Sequence, residues 1–276
     1  MKKLLFSLVL LVSVTMLHAQ DNGYNPYSVR PVHESYIMWK KTVTRSLDLR
    51  EKQNLPLFSS NKELVRLIIE AVKAGILEPY LSDSLDKGKK LTKDEFVEKL
   101  REPSEEAVLT EEEKAFVAQN KADDGGFGGP AAAPSGPSYF QPNQLYKIEI
   151  KEDVLFDRQR SRLYYDIQSI TVKIPAELDP KGIEGIAGSF KYKDLVENVF
   201  KKNPNAIWFN PVNDAEHKNL ADAFDLRLFS SRIIKVSNPK DQFLDDIYNE
   251  SQKQGLMSST WTEFELMEFE HNLWEF

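Results

Sequence analysis

The chain has 276 residues, a formal net charge of −7 and no cysteine. Its acidic balance argues against a nucleic-acid partner, because proteins that bind phosphate backbones present clustered Lys and Arg. The lack of cysteine excludes disulfides, a cysteine nucleophile and thiolate metal ligands. The fold must therefore be stabilised by packing or by assembly with other chains.

The first 19 residues have the features of a secretory signal peptide. Lys2 and Lys3 precede an apolar stretch over residues 4–17, and the small residue Ala19 suits a cleavage site. The stretch is shorter than the ~20 apolar residues that cross a bilayer, which disfavours the alternative of an uncleaved anchor. No later apolar run reaches that length, so we expect an exported mature chain without a transmembrane segment.

Composition divides the rest of the chain at residues 123–142. Nine of these twenty residues are Gly or Pro, a composition typical of a flexible linker. The predicted segments are the signal peptide 1–19, an N-terminal arm 20–31, a first lobe 32–122, the linker 123–142, a second lobe 143–250 and an aromatic, acidic C-terminal tail 251–276.

The two predicted lobes contain similar segments in the same order. The pairs are 44–50 with 167–173 as alternating strands, 63–83 with 194–214 as a helix and an apolar run, and 93–100 with 221–228 as helices. We interpret this order as a duplicated strand–helix–strand–helix unit, with chance similarity of amphipathic segments as the alternative. The predicted fold class is α+β, two small related lobes joined by a Gly/Pro-rich linker.

The second lobe contains further elements. Residues 145–174 have the pattern of a β-hairpin that turns near residues 157–159. Residues 230–238 are predicted as another strand, and residues 241–248 as a short helix.

A polar cluster follows the apolar run that ends at Trp208. Asn210, Asn213, Asp214 and His217 offer oxygen and nitrogen atoms to a metal ion. Zinc sites need three protein ligands, and the three histidines beyond the signal peptide are scattered. We therefore interpret the cluster as turns and caps, with Asn213 or Asp214 capping a helix that begins near Ala215.

Nucleophile, phosphate and cofactor motifs are missing from the sequence. The pair Ser230 and Ser231 lacks the Gly-x-Ser-x-Gly elbow of hydrolases, and no Gly-rich phosphate loop is found. We assign these serines, together with Lys235 and Asn238, to a structural motif. No cofactor, metal or catalytic residue is assigned, and the protein is predicted not to be an enzyme.

Two sets of residues are candidates for contacts with other proteins. The first is the tail, whose apolar residues follow helical spacing and suit either packing on the chain itself or docking in a partner groove. The tail candidates are Trp261, Phe264, Phe269, Leu273, Trp274 and Phe276. The second set is Arg45, Asp48 and Arg50, which suit charge pairs between subunits or ion pairs within the chain.

Three long motifs resemble one known family. They are SLDLREKQNLPLF at Ser46–Phe58, IKEDVLFDRQRSRL at Ile150–Leu163, and the run from FNPVNDAEH to DDIY at Phe209–Tyr248. Together they are similar to the GldN family, also called PorN, of gliding motility proteins. A compound pattern of this length is much more specific than a single short motif.

The resemblance implies a non-enzymatic part of the type IX secretion system in the periplasm, at the inner face of the outer membrane. It implies a ring built with the lipoprotein GldK/PorK, self-association within that ring, and contact with the motor protein GldM/PorM. The rival hypothesis is an exported carbohydrate- or small-molecule-binding protein, in which Tyr164, Tyr165 and Trp208 stack on the ligand.

Overall fold

The computed structural model describes residues 23–85, 88–103, 138–248 and 251–274. The predicted signal peptide (1–19), most of the predicted linker (123–142) and Phe276 lie outside the described residues.

The described residues contain both helices and strands, which confirms the α+β prediction. The strands are β1 Ile37–Asp48, β2 Lys147–Asp157, β3 Arg162–Ile174, β4 Gly185–Lys191, β5 Ile207–Trp208, β6 Lys218–Asn219 and β7 Arg232–Val236. The helices are α1 Leu64–Lys73, α2 Lys93–Lys99, α3 Tyr192–Asp194, α4 Leu220–Asp225, α5 Leu244–Ile247 and α6 Gln252–Trp274. A π-helical segment, Leu195–Phe200, continues α3 directly.

The described strands form a five-stranded sheet in the order β4-β3-β2-β1-β7, and a two-stranded sheet of β5 and β6. Every neighbouring pair in the large sheet is antiparallel. Strand β1, from the first half of the chain, lies between β2 and β7 of the second half. The two-lobe arrangement is therefore not confirmed, because both halves share one sheet.

The predicted hairpin is confirmed as β2 and β3, which pair from Lys147 with Lys173 to Asp157 with Arg162. Its turn is fixed by the buried carboxylate of Asp157, which accepts hydrogen bonds from the backbone N–H groups of Gln159 and Arg160. Such a local side-chain acceptor is what makes Asp common in turns. The turn therefore sets the register of the hairpin.

Two apolar clusters lie along the large sheet. The main core packs the sheet against α1, the π-helical segment and α4, with residues such as Leu47, Ile148 and Phe224. The second cluster is smaller and consists of Val43, Val154, Ile233, Val236, Leu244 and Leu266. Since residues paired across antiparallel strands project from the same face, both clusters occupy one face of the sheet.

The main core draws on both halves of the chain. Its helix α1 buries Leu64, Val65, Ile68 and Val72, and it packs beside the π-helical segment of the second half. The predicted pairs of strands and helices are present, since residues 44–48 and 167–173 lie in strands and residues 93–99 and 221–225 lie in helices. The predicted second strand of the unit is found only once, since the apolar run after α1 forms a turn while the run at Ile207–Trp208 forms a strand.

Helix ends follow the local sequence signals in two places. Helix α2 starts at a capping box, in which the Thr92 hydroxyl accepts from the Glu95 N–H and the Glu95 carboxylate accepts from the Thr92 N–H. Helix α4 starts after Asn219, whose side chain accepts from the Ala221 N–H. The predicted helix near Ala215 is therefore wrong, because that residue lies in a turn and the helix begins at Leu220.

The N-terminal arm contacts β3. Within its described part, Asn25 donates to the side chain of Gln168 at 3.1 Å. The hydroxyl of Ser28 donates to Asp166 at 2.8 Å, and Ser28 itself is buried. The arm thus packs against the sheet through polar contacts.

Candidate protein-binding surfaces

The polar cluster after Trp208 is organised by Asn210. Its side-chain oxygen accepts from the backbone N–H groups of Val212 and Asn213, and its own N–H donates to Nδ1 of His217 at 3.1 Å. Asn213 in turn accepts from the Ala215 N–H. These local hydrogen bonds between side chains and backbone are typical of a turn.

Two possible ligands of the cluster, Asp214 and His217, differ in their surroundings. Asp214 is exposed, and the ring of His217 packs on Phe209 with centroids 4.7 Å apart. Among the residues that the structure describes, no group of His, Asp and Glu is placed to hold a metal ion. The cluster therefore shapes the backbone at the end of β5.

The buried side chain of Asn54 connects two of the motifs that the sequence singled out. Its amide nitrogen donates to the carbonyls of Asp48 and Ser230, and its amide oxygen accepts from the Ser230 N–H at 2.7 Å. Nearby, the Phe209 N–H donates to the Pro56 carbonyl. Residues that are far apart in sequence are thereby fixed to one another.

The remaining residues assigned to structural motifs lie around β7. Lys235 pairs with Asp241 at 2.7 Å, and the amide of Asn238 donates to the carbonyls of Val236 and Gln242. Ser231 is partly buried just before β7. These contacts hold the loop between β7 and α5.

A buried charge cluster lies between the two apolar clusters of the sheet. Glu152, fully buried on β2, accepts from Arg45 at 2.6 Å and from Arg227 at 2.7 Å. Arg45 also pairs with Glu263 of α6 at 2.8 Å, and the guanidinium of Arg227 stacks over Tyr165 at 4.3 Å. We call these five residues the charge cluster.

The surroundings of Arg45 favour its charged form. Burial is the largest single effect and lowers the pKa of Arg45, but the attraction and hydrogen bonds of Glu152 and Glu263 together outweigh it, so the pKa of Arg45 is raised. Arg227 has a positive φ of 54°, a conformation that costs energy for a residue with a side chain. The backbone adopts it where the guanidinium reaches Glu152.

The three predicted charged contacts therefore differ in their surroundings. Arg45 is buried and pairs within the chain, so its charge stabilises the fold. Asp48 accepts from the backbone and side chain of Arg50. The Arg50 guanidinium stacks 3.3 Å from the ring centre of Tyr146 and stays half exposed. Of the three, Arg50 has the most side chain left for a partner.

Helix α6 carries apolar residues on two sides. Its inner side packs on the sheet through buried Leu266 and through Phe269, whose ring lies 4.5 Å from that of Trp39. Leu273 on the same side is partly buried. Its outer side exposes Met257, Trp261, Phe264 and Met267, each more than two-fifths accessible. We call these four residues the outer stripe.

The sequence pattern predicted one apolar face on the tail, and the structure divides it. Phe269 and Leu273 belong to the inner side, whereas Trp261 and Phe264 belong to the outer stripe. Trp274 is the last described residue of α6, and Phe276 lies outside the described residues. The sequence alone does not show that Glu263 contacts Arg45, and this contact fixes the rotation of the helix about its own axis.

The three aromatic residues of the sugar-binding hypothesis do not share one wall. Trp208 packs against the main core, whereas Tyr165 packs against the second cluster under two arginines. Tyr164, as the neighbour of Tyr165 on a strand, projects from the opposite face. The geometry therefore does not favour a sugar platform of these residues.

A helix that seals its own sheet with one side and exposes an aromatic stripe on the other is typical of a protein that docks on other proteins. The family described as Gliding motility associated protein GldN matches residues 32–275, and the chain belongs to this family. It is thus a component of the gliding motility and type IX secretion machinery. A search of curated proteins returned no match. Within the described residues, no helix combines the length and apolarity needed to span a membrane.

Proposed function

We propose that this protein is a non-enzymatic structural part of a periplasmic ring, at the inner face of the outer membrane. In this proposal it assembles with a GldK/PorK-like lipoprotein, associates with copies of itself and contacts a GldM/PorM-like motor protein. Family membership supports the proposal, because it makes the chain a component of that machinery.

The outer stripe is the observation that carries the docking part of the proposal. Trp261 is 48% and Phe264 is 59% exposed, and the edge of Tyr248 extends the patch beside Trp261. Aromatic and Met side chains are enriched in the centres of protein interfaces, where they contribute most of the binding energy. We propose that the outer stripe binds a partner protein of the ring.

A ring needs each contact to be only modest. A standard interface buries about 800 Å² on each partner, and repeated contacts around a closed ring add avidity. Arg50, with its half-exposed guanidinium, is proposed as a charged contact in such an interface. The fold supplies a rigid sheet that holds the outer stripe in a fixed orientation.

Purification of the tagged chain from the native envelope tests the proposal. We expect the GldK/PorK-like lipoprotein and the GldM/PorM-like protein to co-purify at megadalton size. The double variant W261A/F264A should reduce their yield by about tenfold, since loss of two interface aromatics costs a few kcal/mol. The matched control I183A/V212A removes two exposed apolar side chains elsewhere and should leave the yield unchanged.

Two outcomes would contradict different parts of the proposal. A monomeric chain that co-purifies with neither protein and binds glycans would overturn the ring and favour the rival hypothesis. Full assembly of W261A/F264A would leave the ring intact and remove the outer stripe from it.

A further inference from the structure

Strand β3 has a free edge at its start. Strand β4 pairs with it only from Ser169 to Ile174, and the arm contacts the side chains of Asp166 and Gln168. Among the described residues, the outer edge of 162–165 has no strand partner. A free edge presents unpaired N–H and C=O groups, which is the feature that extended peptides recognise.

A cleft of about 600 Å³ runs along this free edge. Six consecutive residues of β3, Arg162–Ile167, line it, and since successive side chains point to opposite faces, the cleft follows the strand edge rather than either face. Its far wall is built from the arm, Val29–Val32, and from Tyr192 and Phe224. The volume lies within the ~300–1,000 Å³ typical of ligand pockets.

The accessible charge around the cleft is positive, although the chain as a whole is acidic. Arg30 and Arg160 line it with side chains 77% and 62% exposed, and Arg162 is exposed without an ion pair among the described residues. The carboxylates that pair with the first two are less exposed, at 24% for Asp225 and 0% for Asp157. A negatively charged partner is therefore favoured at the mouth.

The cleft also contains a polar group that lacks a partner. The hydroxyl of Tyr192 is buried and makes no hydrogen bond among the described residues. A buried hydroxyl without a partner costs free energy, which a ligand that hydrogen-bonds to it would recover. Burial likewise raises the pKa of Asp166, another lining residue, to about 6, against the hydrogen bonds from Ser28 and Gln168.

We propose that this cleft binds an extended acidic segment of another polypeptide, which adds as a strand beside the free edge of β3. The backbone of the segment would pair with residues 162–165. Its carboxylates would contact the three exposed arginines at the mouth of the cleft. This site is separate from the outer stripe, and the inference does not depend on the proposed ring.

The purified full chain and synthetic peptides test the inference directly. The probe is an end-capped ten-residue peptide of alternating Thr and Glu, and the matched control alternates Thr and Lys. We expect the acidic peptide to bind and to slow hydrogen exchange at the amides of residues 162–165. Glutarate at equal carboxylate concentration should give no such protection, because it has no backbone to pair.

Charge reversal at one arginine separates a specific contact from general attraction. Arg162→Glu should weaken the binding of the acidic peptide about tenfold, which corresponds to about 1.4 kcal/mol. Arg158→Glu is the matched control, an exposed arginine of the same turn that does not line the cleft. Tyr192→Phe should keep the fold and weaken the binding of the peptide, because the hydroxyl that the peptide would hydrogen-bond is removed.

Four results would overturn the inference. Three are no binding of the acidic peptide, equal binding of the Lys peptide, and equal loss of affinity in Arg158→Glu and Arg162→Glu. The fourth is binding without protection of residues 162–165, because the peptide would then occupy another surface.

Discussion

The two apolar clusters on the same face of the sheet are built in different ways. The main core is large and continuous, with aromatic contacts such as the stacked rings of Phe200 and Phe224, 5.9 Å apart. The second cluster has six buried residues and lies under α6, beyond the charge cluster. Burial of apolar area dominates the first region, whereas the second combines a small apolar area with ion pairs.

This difference indicates that the sheet and α6 have unequal stabilities. A region with few buried apolar contacts opens at a lower free energy than the core to which it is attached. Helix α6, which also presents the outer stripe, belongs to that weaker region. Of the helices packed on the sheet, the predicted docking helix α6 is therefore the one expected to detach at the lowest free energy.

Truncations in the two clusters give the largest expected effects. Phe224→Ala should lower the free energy of unfolding by about 4 kcal/mol, since it empties a fully buried site. Leu266→Ala should cost about 2 to 3 kcal/mol and should release α6 alone. Denaturant unfolding measures the first change, and hydrogen exchange resolved by residue measures the second.

Cooperative unfolding of the whole sheet together with α6 in Leu266→Ala would contradict the inference that α6 is less stable than the sheet. It would mean that α6 and the sheet form one unfolding unit. Leu256→Ala, a truncation of an exposed residue on the same helix, controls for effects on the helix itself.

Removal of the central acid of the charge cluster is expected to have the next largest effect. Glu152→Gln keeps the shape but removes the buried partner of Arg45, which then retains only the partly exposed Glu263. This loss should cost about 3 kcal/mol. Glu149→Gln on the same strand breaks the partly exposed pair with Lys173 and should cost about 1 kcal/mol or less. Thermal unfolding measures the loss of stability in both variants. Equal losses would show that the charge cluster contributes no more to stability than the pair of Glu149 and Lys173.

The charge of Glu152 stabilises the fold, whereas the charge of a buried acid without a cationic partner should destabilise it. Asp166 accepts hydrogen bonds from Ser28 and Gln168, and its pKa is raised by burial from 3.8 to about 6. The folded state therefore holds this proton more tightly than the unfolded state does. This contribution to stability is fully present below pH 4 and is lost as the pH rises through about 6.

Substitution of that acid gives the smallest expected effect. Asp166→Asn should raise the free energy of unfolding at pH 7.5 by about 1 kcal/mol and have little effect at pH 4. Urea unfolding at both pH values measures the difference, with the exposed Asp246→Asn as control. A loss of stability at pH 7.5 would show that the charged carboxylate is favoured in the fold.

Local features of the fold could be predicted from the sequence. Alternation located β2 and β3, the Thr92–Glu95 pair located the start of α2, and helical spacing located α6. Each of these signals depends on neighbours in the chain, and neighbours are what a single sequence displays.

Pairing between distant segments could not be predicted in the same way. Strand β1 reads as an ordinary alternating strand, and nothing in its residues states that its partners are β2 and β7. For the same reason the sequence did not decide whether Arg45 pairs between subunits or within the chain. Its partners Glu152 and Glu263 come close to it only in the folded chain. Asn54, which ties the loop after β1 to Ser230, was missed because a lone Asn in a loop is unremarkable.

The central position of β1 also determines when the polypeptide can finish folding. Val43 pairs with Val236 across about 190 residues, so the sheet stays incomplete until nearly the entire polypeptide is present. Contacts of such long sequence separation slow folding, because loop closure must precede them. A truncated product that ends before residue 232 would leave one side of its first strand open to pairing with other molecules, and is expected to aggregate.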